Sequence, residues 1–448
     1  MFTEMHLKNF KGWVDTKPIR LAPITVFFGT NSSGKTSLLQ SILLLKQTAE
    51  SSDRTRVLHP GDARSLVDLG TPSDFIYGHD GTRALEIDVT WTVPAAVPPE
   101  RPVSIGDKVI TTLSFGVDVR LNPEGQPFVE QLHYEGAGAR IGLVRKEDKQ
   151  YELQGKGVAL RRRPGRPWPL PPPVRFYGLP DEAVNYYQGA DWLPDLALAL
   201  ERQLGRVHYV GPLREYPHRS YLWAGEQPVN VGTRGENAVP ALLAARTEKR
   251  IGHGEGKRRR YTAFDVMVAQ WLEKMGVIDS FRVVQVAKNR KDYEVRVKRT
   301  SQSAEVYITD VGFGVSQLLP VLVQCYYAAP SSTIIFEQPE IHLHPKVAAD
   351  LADVIIDAMI ACDVQFIIES HSEHFLQRLQ RRVAEAETID ETKVALYSCD
   401  VVEGQSRISD LELDELGNIR KWPKDFFGDP MGEAAARTMA AIRRKKKA

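Results

Sequence analysis

Apolar and polar positions alternate with different periods along the 448-residue chain. Phe2, Met5, Leu7 and Phe10 suggest a strand, and Ile24-Thr-Val-Phe-Phe28 is an apolar run suited to a buried one. A helical face follows at Leu38, Leu39, Ile42, Leu43 and Leu45, ending at the polar 51–53. Over residues 84–153 the period becomes two, as in 85–91 and 110–119, which predicts an antiparallel β-meander. The prolines of 161–173 favour an extended excursion. Helical patterns return at 191–204, 237–246 and 261–275, and a hairpin is expected across 281–297. After Thr309 the order is helix, strand, helix, strand (317–328, 333–336, 345–360, 364–368), the alternation of a parallel α/β layer.

Composition narrows the class. The length suits two or three domains, and 42% hydrophobic with 26% charged residues is a globular balance. Lys+Arg 58 against Asp+Glu 57 leaves a net charge of +1, so only local patches speak about polyanionic partners. Three scattered cysteines, Cys325, Cys362 and Cys399, exclude a disulfide framework and fit a reducing, cytoplasmic setting. Residues 1–10 lack a secretory pattern, and the longest apolar run, 318–329, is too short to span a bilayer. No membrane role is expected.

The chemistry starts at Gly29-Thr-Asn-Ser-Ser-Gly-Lys-Thr36, which satisfies G-x-x-x-x-G-K-[ST] between an apolar strand and a helix. Gly29 and Gly34 let the backbone curl, Asn31, Ser32, Ser33 and Ser37 line the turn, and the helix start adds positive potential. Lys35 is expected on the β/γ-phosphates and the Thr36 hydroxyl on Mg²⁺, so ATP and Mg²⁺ are the predicted cofactors. Thr333-Ile-Ile-Phe-Glu-Gln-Pro-Glu340 reads as a Walker B strand with Glu337 on the Mg²⁺ side. Gln338 stands where a glutamate commonly polarises the attacking water, and an amide cannot accept that proton. A further apolar strand, 364–368, leads to His371, a candidate for the γ-phosphate or the attacking water. Asp310-Val-Gly-Phe-Gly-Val-Ser-Gln317 is a glycine/serine loop opening a helix, suited to a phosphate.

The order of P-loop, long insertion, glycine/serine loop, Walker B and strand with histidine resembles ABC-type ATPase heads. Leu7-Lys-Asn-Phe-Lys-Gly12 looks like the RecF/SMC branch. Phe336-Glu-Gln-Pro-Glu-Ile-His-Leu-His-Pro345 and Glu369-Ser-His-Ser-Glu-His374 resemble predicted bacterial ATPases related to the OLD proteins, as do 214–221, Gly235-Glu236, 411–417 and 426–428. The resemblance implies that Gly312, Gly314, Ser316 and Gln317 act in trans as a signature loop, within a homodimer bridged by ATP. It makes His371 a switch histidine and Glu337 the Mg²⁺-supporting acid. Phe-Gly-Val-Ser-Gln departs from the usual Leu-Ser-Gly-Gly-Gln, and Gln338 points to slow turnover with Glu340 or His371 as alternative bases.

The fold expected is therefore α/β: an ABC-type P-loop ATPase head with an antiparallel β-rich insertion and a helical middle region. Its parts are an N-terminal lobe (1–80), the insertion (81–205), the middle region and hairpin (206–300), a C-terminal lobe (301–400) and an extension (401–448). The expected role is a slow, nucleotide-gated switch in anti-phage defence or DNA maintenance, with an effector protein encoded nearby. The alternatives are a non-hydrolysing docking module and, against the RecF-like opening, a transporter motor. No TOPRIM nuclease pattern follows His371, and 410–414 reads as an exposed strand face. His342, His344, His371 and His374 have spacings tolerable for zinc, but the ATPase reading accounts for both segments. Nucleic acid is a possible partner through Lys257, Arg258, Arg259 and Arg260, while the basic tail at 443–447 reads as a solvated end.

Overall fold

Two sheets share the P-loop region in a computed structural model that describes residues 1–94, 102–165, 169–248, 250–253 and 260–422, with positions 437 and 439. The first has six strands in the order Val207–Val210, Thr333–Glu337, Gln365–Glu369, Ile24–Gly29, Val394–Val402 and Gln405–Asp410. The first five run parallel and the last is antiparallel. Because successive side chains on a strand face opposite ways, Phe28, Phe336 and Ile368 enter one core while Phe27, Ile335 and Ile367 enter another. Burial on both faces explains the unbroken apolar runs in the sequence. Helices Phe313–Tyr327 and Pro345–Cys362 contribute Leu318, Leu322, Leu351 and Ile355 to the first core, and helix Lys35–Glu50 contributes Leu38 and Ile42 to the second.

The sheet order matters for the chemistry. The P-loop strand Ile24–Gly29 and the Walker B strand Thr333–Glu337 are not neighbours, since Gln365–Glu369 lies between them. Its register pairs Glu369 with Glu337 on one side and with Phe27 on the other. All three strands end at the same edge, where ligands bind in open α/β sheets.

The second sheet is the expected meander: Tyr151–Lys156, Ala139–Arg145, Pro127–Gly136, Thr112–Leu121, Leu85–Thr92, Phe2–Phe10 and Trp13–Asp15, with Ile19–Arg20 also pairing on Phe2–Phe10. In Leu85–Thr92 the apolar Leu85, Ile87, Val89 and Trp91 are buried, as the alternation requires. Phe2–Phe10 pairs directly with Leu85–Thr92, so segments 1–80 and 81–205 share one sheet and one core. The boundary drawn between them in the sequence does not separate structural units.

Two further expectations change. The middle region is not mainly helical: Ala238–Glu248 and Phe264–Lys274 are helices, but Tyr221–Leu222, Ser280–Gln285, Asp292–Lys298 and Val306–Tyr307 form a four-stranded sheet. Val207–Val210 also leaves that region to edge the ATPase sheet. Ser280–Gln285 and Asp292–Lys298 are the expected hairpin, whereas the other strands, of two to four residues, are too short to show a period. Similarly, 410–414 is not an exposed strand face, because the strand stops at Asp410 and Leu411 is buried. Among the described residues no helix is long and apolar enough to cross a membrane.

Candidate functional site

The P-loop backbone is curled as its glycines predict, with positive φ at Gly29 (141°), Ser32 (62°) and Gly34 (94°). The curl is also enforced from outside. A Cβ at Gly29 would lie 2.0 Å from the Cys399 carbonyl oxygen, and one at Gly34 would lie 2.6 Å from Ser406 Oγ. Trp13 Nε1 donates to the Gly34 carbonyl at 3.1 Å, fastening the loop to the meander. Helix Lys35–Glu50 starts with no side-chain cap and no acid in its first turn, so its leading amides stay available to an anion. Lys35 is buried, with Nζ donating to the carbonyls of Thr30 (2.7 Å) and Gly29 (3.2 Å). Burial lowers its pKa, and Glu369 opposes that shift.

Carboxylates line the facing strand ends. Glu337 accepts from Tyr209 Oη at 2.7 Å, and burial raises its pKa, with Glu369 adding in the same direction. Glu369 is 2% exposed. Its Oε2 accepts from Thr36 Oγ1 at 2.7 Å and its Oε1 lies 3.8 Å from Lys35 Nζ. The sequence reading gave Glu369 no role. The available signal was its place at the end of an apolar strand, but that it lies beside Glu337 depends on strand order.

Gln338 turns out of the Walker B strand with a left-handed φ of 46°. Its N–H donates to the Glu369 carbonyl (2.9 Å), and buried Arg214 donates to the carbonyls of Gln338 (3.3 Å) and Pro339 (3.4 Å). Glu340 faces away from this opening. Its Oε1 accepts from Ser370 Oγ and from the His371 N–H, both at 2.7 Å, and its Oε2 is buried without a hydrogen bond. Burial raises the Glu340 pKa against those two donors. His371 has its pKa lowered by burial, and its Nε2 has no hydrogen-bond partner.

The loop 31–37, Gln338, Glu369 and His371 line one cavity of about 580 Å³. Phosphates fit its floor of amides and Lys35, and a hard divalent cation fits its oxygen donors Thr36 and Glu369, with Glu337 on the neighbouring strand end. The cavity thus brings together the predicted P-loop, Gln338 and His371, while Glu337 stands at the adjoining strand end in register with Glu369.

Other predicted residues fall elsewhere. The glycine/serine loop is shorter than expected because the helix begins at Phe313. Gly312 is exposed and Gly314 half-buried, whereas Ser316 and Gln317, already on the helix, are buried against their own protomer. Their side chains are thus buried in the single protomer, and the surface of the turn is formed by Gly312 and Gly314. His344 caps helix Pro345–Cys362 by accepting from the Lys346 N–H, and so has a structural task. Lys257, Arg258, Arg259, residues 426–428 and the basic tail lie outside the described residues, and Arg260 opens the short strand Arg260–Ala263.

Three family models match the chain. Residues 1–103 match "AAA ATPase domain" and residues 284–377 match "AAA domain, putative AbiEii toxin, Type IV TA system". Residues 389–436 match a protein of unknown function (DUF3696). No curated protein matches the sequence. Among solved structures, the chain is similar to an SmcHead bound to the C-winged helix domain of ScpA, at 12% identity and TM-score 0.46, covering 92% of this chain and 98% of that one. It is also similar to the SMC head domain from Thermotoga maritima (10%, TM-score 0.41, 92% and 99%). A third is the Smc head domain with an extended coiled coil bound to the C-terminal domain of ScpA derived from Pyrococcus furiosus (13%, TM-score 0.42, 99% and 99%).

Proposed function

We propose that this chain, matched over 1–103 and 284–377 by AAA ATPase models, is an ABC-like ATPase of the RecF and SMC type that binds ATP with Mg²⁺ and hydrolyses it slowly as a nucleotide-gated, dimeric switch. One observation carries the reading: the curled loop 31–37 shares a single cavity with Gln338, Glu369 and His371 at the ends of parallel strands, with Glu337 in register beside Glu369. Lys35, freed from the Gly29 and Thr30 carbonyls, would neutralise the terminal phosphates, and the amides at the start of helix Lys35–Glu50 would hold the others. Thr36 and Glu337 would hold Mg²⁺, which supplies charge neutralisation at the phosphates when bound. Slow turnover follows from Gln338, which orients water without accepting its proton, and from the engagement of Glu340 by Ser370 and His371. His371, whose ring lines the cavity with Nε2 lacking a hydrogen-bond partner, is a group able to take a proton there.

The switch part of the reading assigns the exposed turn at Gly312–Gly314 to the second copy's nucleotide, through backbone amides rather than Ser316 or Gln317. The cytoplasmic setting and a role in defence or DNA maintenance are consistent with the matched model named for a Type IV toxin–antitoxin system. An effector protein would read the closed state. Gln338 also favours the alternative of a docking module that binds nucleotide and does not turn it over.

Phosphate release and light scattering, measured together, test this. Turnover is expected below about 10 s⁻¹, the middle of ordinary enzyme rates. The mass is expected to double with ATP, and both effects should vanish in Lys35→Ala. A monomer at saturating ATP would refute the switch, and zero turnover with intact dimerisation would select the docking module.

A further inference from the structure

The mechanism above gives Glu369 no task beyond offering an oxygen to a cation, although it is the carboxylate that lines the cavity. It ends the strand between the two catalytic strands, in register with Glu337. It holds the Thr36 hydroxyl at 2.7 Å and stands 3.8 Å from the Lys35 ammonium. Those two groups are the ones that a triphosphate and its cation need. The cavity wall therefore presents a buried carboxylate, Glu369, directly beside the buried Lys35.

We propose that Glu369 makes the site selective for the metal–nucleotide complex, rejecting metal-free ATP and admitting ATP only when a divalent cation accompanies it. The proposal rests on the ATP-binding reading and specifies its ligand. A free triphosphate approaching Lys35 and Thr36 meets the Glu369 charge a few ångströms away in a partly desolvated cavity. A like charge at that range weakens binding on the order of tenfold or more. A divalent cation reverses the sign: the carboxylate attracts it, releases Thr36 Oγ1 to it, and leaves Lys35 to the phosphates. Glu369 thus acts as a lock on both P-loop side chains until the cation arrives. The position of Gln338 beside it is consistent, because an amide there avoids a second negative charge on the same wall.

The test is equilibrium binding of a fluorescent ATP analogue by the full chain, in excess EDTA and in excess Mg²⁺. The wild type is expected to bind on the order of a hundredfold more tightly with Mg²⁺. Glu369→Gln is expected to bind in EDTA about tenfold or more tightly than the wild type does, shrinking the metal dependence. Glu369→Thr, also neutral and smaller, gives the same readout if Glu369→Gln does not fold. Equal wild-type affinity in both buffers overturns the proposal, as does a neutral variant with unchanged metal dependence. If the wild type binds in neither buffer, the ATP-binding reading itself fails, a result distinct from the other two.

Discussion

Substituting Glu340 by Gln separates a base from a brace. In the wild type the carboxylate accepts two hydrogen bonds of 2.7 Å, from Ser370 Oγ and the His371 N–H, and it supports the charge of buried Arg214. An amide keeps the shape and one acceptor oxygen but loses the charge. Hydrogen bonds to a charged group contribute about 1.5–3 kcal/mol and neutral ones about 0.5–1.5, so two weakened bonds remove about 2–3 kcal/mol. Arg214, whose pKa burial already lowers to about 10, loses its compensating neighbour as well. The total is about 2–4 kcal/mol. With an unfolding entropy of about 2.1 cal/mol/K per residue, a chain of this length shifts by about one degree per kcal/mol, so Tm should fall by about 2–4 °C. Turnover should stay within about tenfold of the wild type, because Glu340 does not face the cavity. Thermal unfolding and phosphate release on one preparation decide the matter. An unchanged Tm with a rate loss of about 10²–10⁴, the range of general-base catalysis, would make Glu340 the base and refute the geometric argument.

Two further outcomes follow from the P-loop support and the meander. Gly34→Ala forces a Cβ into the space 2.6 Å from Ser406 Oγ, at a φ of 94° that side chains rarely adopt, so ATP binding should be lost while helix content persists; isothermal titration with circular dichroism checks both. His133 has its pKa lowered to about 4, first by burial and then by Arg140. Its neutral form is thus favoured in the fold, so its contribution to stability is complete above the ordinary histidine range and is lost as pH falls towards 4. The loss is at most about 3 kcal/mol and smaller for a half-buried ring, and His133→Gln should flatten the fall in urea midpoint between pH 7 and pH 4.

How much of this was legible in the sequence follows from the range over which each signal acts. The P-loop could be read because its constraints are local: glycines where φ is positive, a strand before and a helix after. The meander could be read because strands of six to ten residues show their alternation. The edge strand Val207–Val210 could not, since four residues carry no period and its partner Thr333–Glu337 is far along the chain. The burial of Ser316 and Gln317 could not be read because the helix starts earlier than its apolar pattern shows. Glu369 became functional only through sheet order, which decides that its strand lies beneath both Glu337 and Thr36. The segment around Arg214 is the clearest case of information held only in three dimensions. Arg214 grips the Gln338 and Pro339 carbonyls, and five residues later Arg219 pairs with Asp310 at 2.9 Å, just before the exposed Gly312–Gly314 turn. One short stretch of chain therefore touches both the Gln338 turn and the segment that leads into the Gly312–Gly314 turn. Any shift of Gln338 on nucleotide binding meets resistance along that stretch, with the buried Arg214 end holding more firmly than the solvent-screened Arg219 pair.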